Sequence, residues 1–111
     1  MDIVFKAKRL EKQCNSIHKG TRVWGTDGAR RIRRRLDDLR AADNLEVMRG
    51  LPGRCHELKG EKAGVLSLDL RHPYRLLFEP ADEPVPVKPD GGLNWAGVTS
   101  VRILGVEDTH A

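Results

Sequence analysis

Polar and apolar positions alternate most clearly between Cys55 and Pro80. Leu66, Leu68 and Leu70 take turns with Ser67, Asp69 and Arg71, the two-residue period of a strand with one buried face. After His72-Pro73 the run resumes from Tyr74 to Glu79, and Pro80 ends it. Gly60 and Gly64 bracket the turn ahead, so the stretch predicts a meander of three short strands with a basic outer edge. Upstream, Asp2 to Phe5 predicts a short strand with Ile3 and Phe5 on one face. Leu10, Cys14 and Ile17 then fall four and three apart, which predicts a helix over Lys6 to Ile17 that Gly20 and Gly25 break. A second helix follows from Ala29, Ile32, Leu36 and Leu39, with Asp27 as its expected N-cap and Arg30, Arg31, Arg33, Arg34, Arg35 and Arg40 on its solvent surface.

Asn44 to Gly53 is a turn-rich connector whose Leu45, Val47, Met48 and Leu51 pin the helix end to the core. Ala81 to Ala96 holds three prolines and two glycines, so a long surface loop is expected there, more mobile than its flanks and anchored by Trp95. Val98 to Val106 predicts a last strand with Val101 and Ile103 on one face. The order is β-α-α-β-β-β-β: an α+β fold, two N-terminal helices packed on a mostly antiparallel four- to five-stranded sheet, as one domain over residues 1–111.

Charge sharpens this picture. The net charge of +4 is unevenly spread: residues 1–60 hold 15 Lys and Arg against 8 Asp and Glu, or +7, and the rest hold 5 against 8, or −3. The first half should therefore attract phosphate. Cys14 and Cys55 form no CxxC pair and suggest neither a disulfide framework nor a zinc site, so a reducing cytoplasm is expected. The chain carries neither an apolar run of membrane-spanning length nor a signal-peptide pattern at MDIVFKAKRL, and no membrane role is expected.

Arg30, Arg31 and Arg34 on the second helix, with Arg71 and Tyr74 on the meander, are candidate RNA contacts; the bland alternative is a solvated helix face. His56, Lys59, Arg71, His72, Tyr74 and Arg75 form a more specific set. They suit RNA cleavage by attack of the 2′-OH on its own phosphate, which needs a general base, a general acid and cations on the phosphorane. Histidine serves the proton transfers, and arginine offers a permanent charge in a forked geometry. The competing reading is a charged sheet edge that discourages aggregation. His110 by itself reads as a frayed chain end.

The turn His56-Glu57-Leu58-Lys59-Gly60, the strand Tyr74-Arg75-Leu76-Leu77-Phe78 and the ending Val106-Glu107-Asp108-Thr109-His110 together resemble the RelE/ParE superfamily of bacterial toxins, and within it the HigB-like (plasmid maintenance killer) branch. The resemblance implies a type II toxin–antitoxin toxin that cleaves mRNA in the ribosomal A site. It implies His56 and Lys59 as active-site residues, Arg75 as the arginine that stabilises the transition state, and Asp108 with His110 as a C-terminal catalytic pair. No cofactor and no metal are implied. The expected partners are the ribosome and mRNA, a HigA-like helix-turn-helix antitoxin, and operator DNA reached only through the antitoxin complex. Thr109 stands where that branch usually has tyrosine, and the proline-rich insertion is long for the family. The alternatives are a ParE-like gyrase inhibitor and a non-toxic nucleic-acid-binding domain.

Overall fold

The computed structural model describes residues 1–109. Its elements are β1 (Asp2–Phe5), α1 (Lys8–Asn15), α2 (Ile17–Ala41), β2 (His56–Glu57), β3 (Leu66–Asp69), β4 (Tyr74–Pro80) and β5 (Ser100–Asp108). The sheet runs β1-β5-β4-β3-β2, with β1 parallel to β5 and every other pair antiparallel. The expected α+β architecture and element order are thus observed. Among the described residues, no helix is long and apolar enough to cross a membrane.

One face of the sheet packs on the helices. Leu66 and Leu68 of β3, Leu76 and Phe78 of β4, and Val101 and Ile103 of β5 are all buried there, against Ile32, Leu36 and Leu39 of α2. Burial of such side chains, at roughly 1.5–3 kcal/mol each, dominates the stability of a core this size. Short 3₁₀ turns at Leu45–Gly50 and Trp95–Gly97 close its edge. Leu45 and Met48 are buried as expected, whereas Val47 is exposed.

The helices differ from expectation in three ways. The first break falls at Ser16, whose extended backbone and hydroxyl cap α2 by accepting from the Lys19 N–H at 3.2 Å. Gly20 stays helical, and the second break is Gly25 alone, at φ 76° and ψ 169°, a conformation only glycine adopts without cost. Asp27 is therefore not the N-cap; it lies two residues past that break, inside the helix. Arg35 is the third difference. It is buried at 5% exposure, its Nε donating to the Asp69 carbonyl at 3.1 Å, because the chain at Gly53 passes directly against it.

The insertion at 81–96 is tied down rather than loose. The Asp82 carboxylate accepts from the Thr99 N–H and hydroxyl and the Ser100 N–H at 2.7–3.1 Å. Burial alone would raise the pKa of Asp82, but these bonds outweigh it and hold the carboxyl below its ordinary value. Val87 bridges to Leu93. Trp95 is buried, donates from Nε1 to Glu57 Oε2 at 3.0 Å, and carries the Arg49 guanidinium 3.7 Å from its ring centroid. It anchors the loop as the sequence suggested.

Candidate nucleic-acid interface

The sheet face turned away from the helices carries the chemistry. Register fixes which side chains share it: His56 opposes Ser67, Ser67 opposes Leu77, and Arg75 opposes both Asp69 and Glu107. A bulge in β5 sets this last pairing. Phe78 faces Ile103 and Leu77 faces Gly105, so Leu104 is an extra residue. Counting in twos from Val101 and Ile103 would place Glu107 on the helix side. The bulge reverses the parity and puts it beside Arg75.

There Arg75 donates from Nε to Glu107 Oε2 at 2.7 Å, with Nη2 2.6 Å from the same oxygen. Lys62 Nζ meets the other oxygen, Oε1, at 2.8 Å. Lys62 sits on the 3₁₀ turn Gly60–Lys62 that leads from β2 into β3, and β4 separates β3 from β5, so this bond ties the turn to a strand that is not its neighbour in the sheet. Ser67, on the same face, is fully buried where pattern alone marks a solvent face, its Oγ without a partner among the described residues. Hydrogen bonds from Lys62, and then from Arg75, hold the Glu107 carboxyl below its ordinary range, so it is an anion at neutral pH.

His56 shares the face, with Nδ1 2.7 Å from the Arg54 carbonyl. Arg54 in turn grips Asp69 with two bonds, at 2.9 and 3.2 Å. Lys59, expected beside the phosphate, is exposed and makes no side-chain hydrogen bond or ion pair among the described residues. Asp108 opposes Tyr74, in step with Val106 and Leu76 on the helix side, so the structure does not bring it to the face of Arg75. His110, its expected partner, lies outside the described residues. Thr109 is held at the β3–β4 turn, its hydroxyl donating to the Pro73 carbonyl at 2.8 Å. Burial pushes the thiols of Cys14 and Cys55 up to about 11 and about 12, so neither is a nucleophile at neutral pH.

Around the corner, α2 and the β3–β4 turn enclose a groove of about 720 Å³ lined by Asp27, Arg30, Arg31, Arg34, Arg35 and Arg71, with Pro52. Four of the five expected RNA contacts converge here. Tyr74 lines the adjoining groove of about 340 Å³, which shares Asp27 and Arg71 with the first and adds Trp24 and His72. The one carboxylate, Asp27, pairs with Arg71 at 2.8 Å, both well exposed, and five guanidinium groups outnumber it. The hollow under the insertion loop has the opposite character: Glu57, Glu79, Asp82 and Glu83 line it against Arg102 alone, which suits cations rather than phosphate. Sequence reasoning missed Lys62, Glu107 and Arg54. The two acidic partners, Asp69 and Glu107, carry no motif that would have flagged them.

No family model and no curated protein matches this chain. Among solved structures it is similar to a YoeB/ParE toxin from Agrobacterium tumefaciens, with 16% identity, a TM-score of 0.56, and 97% of this chain and 98% of that one covered. It is also similar to the YoeB dimer from Staphylococcus aureus, with 16% identity, a TM-score of 0.55, and 95% and 92% covered. The fold is therefore that of the YoeB/ParE toxins, the RelE/ParE-type arrangement of helices on a five-stranded mixed sheet.

Proposed function

We propose that this protein is the toxin of a type II toxin–antitoxin system and acts as a ribosome-dependent mRNA endonuclease. The observation that carries the reading is the convergence of two cations, Arg75 and Lys62, on one anion at the open sheet face of a YoeB/ParE-type fold. A phosphodiester needs the same two donors when its 2′-OH attacks and negative charge builds on the phosphorane. His56 on that face would move protons, and His110, given by the HigB-like motif, would be the second proton-transfer group. The arginine groove then holds flanking RNA or rRNA through phosphate contacts that position without reading sequence. Every step runs on proton transfer and charge stabilisation by side chains, so none calls for a metal. A HigA-like helix-turn-helix antitoxin is the proposed partner, with operator DNA bound through that complex.

Replacing Arg75 with alanine removes a preorganised donor, which typically costs about 10²–10³ in rate. Growth arrest on expression should vanish in Arg75→Ala and in His110→Ala, with circular dichroism unchanged. Full toxicity in both variants would overturn the site. A ParE-like gyrase inhibitor would instead give replication-linked DNA breaks with intact transcripts.

A further inference from the structure

Glu107 occupies its position in a particular way. Its two oxygens are shared out, Oε2 to Arg75 at 2.7 and 2.6 Å and Oε1 to Lys62 at 2.8 Å. A phosphodiester presents two non-bridging oxygens with a similar bite, and arginine with lysine is a usual pair for holding them. The three side chains are 23%, 29% and 45% exposed for Arg75, Glu107 and Lys62, so the cluster opens to solvent and a ligand can reach it. The other carboxylate opposite Arg75, on Asp69, is already gripped by Arg54 at 2.9 and 3.2 Å and does not compete. Glu107 is thus the anion that neutralises this pair of cations.

We infer that Lys62 and Arg75 form an oxyanion site for an RNA phosphodiester, and that Glu107 is a built-in competing anion that fills the site until RNA displaces it. The inference deepens the nuclease reading and rests on it. It moves the lysine role from Lys59, whose side chain makes no hydrogen bond or ion pair among the described residues, to Lys62. Lysine suits a displaceable arrangement, since its flexible stem can follow the phosphate as the carboxylate swings away. Arg75 stays in place on β4, its neighbours fixed by ladder pairing on both sides. Glu107 is a gating residue here, acting through the two cations and not on the reacting atoms.

The test uses a 2′-O-methyl oligonucleotide, which cannot be cleaved, and measures its affinity for the full chain by fluorescence anisotropy at one fixed salt concentration. Glu107→Gln should bind about fivefold more tightly, the scale of one partly exposed charge interaction, and Lys62→Gln should bind more weakly than the wild type. The double variant Lys62→Gln with Glu107→Gln should return close to wild-type affinity, because the gain works through the freed cation. Equal or weaker binding by Glu107→Gln, or a double variant as tight as the single, would overturn the proposal. Should Glu107→Gln fail to fold, the wild type still decides: saturating oligonucleotide must shift the Arg75 Nε–H resonance, and an unmoved resonance contradicts the site. Because the probe is inert, failure here is distinguishable from failure of the nuclease reading, which is decided by cleavage in cells.

Discussion

Gly53 sits at φ +114°, and a Cβ built there would lie 2.8 Å from Arg35 Nε and 3.1 Å from Leu68 Cδ2. Two constraints therefore meet at one residue: a backbone angle that L side chains avoid, and a guanidinium that passes where a methyl would go. Arg35 lies buried in the floor of the arginine groove, and burial lowers its pKa against the opposing pull of Asp38 and Asp69. Gly53→Ala should destabilise the fold by about 1–3 kcal/mol, read as a lower urea midpoint with an unchanged slope; an unchanged midpoint would mean that Arg35 does not need this passage. Arg35 could not be told from its neighbours in the sequence. A run of arginines on a helix reads as solvated surface, and only the approach of the distant Gly53 segment singles out the one that is buried.

At the scale of elements, periodicity carried most of the fold. The stripe Ala29, Ile32, Leu36 and Leu39 and the alternation of Leu66, Leu68 and Leu70 are local patterns, and each is buried as it predicts. Two features were not local. The β5 bulge at Leu104 depends on pairing with β4, and it alone decides that Glu107 faces Arg75. The reach of Lys62 depends on how the Gly60–Lys62 turn folds over the sheet, and nothing near it distinguishes it from Lys59. The candidate site was therefore legible at Arg75 and His56 and at four of the groove contacts, but its lysine and its anion were not. The insertion loop shows the same division. Its length and prolines were plain, whereas its anchoring comes from Glu57 and Arg49, some forty residues earlier in the chain. Trp95→Ala should cost about 3–5 kcal/mol in thermal or urea unfolding, a loss out of scale for a loop residue. A cost near zero would show that the loop hangs free of the core.

The whole molecule separates its charges. The positive balance of residues 1–60 gathers on α2 and faces the β3–β4 turn, while Glu79, Asp82 and Glu83 of the second half, with Glu57, line the hollow under the insertion loop. In the proposed nuclease this separation would steer RNA toward the arginine groove and away from the acidic hollow. The central claim is that the protein cuts mRNA during translation. Mapping 5′ ends of transcripts after induced expression, with translation running and with it blocked, tests that claim most directly. New ends inside translated codons that disappear when translation is blocked, and that are missing for Arg75→Ala, are the predicted result. Growth arrest with intact transcripts would contradict the account and turn attention to a binding toxin on the same fold.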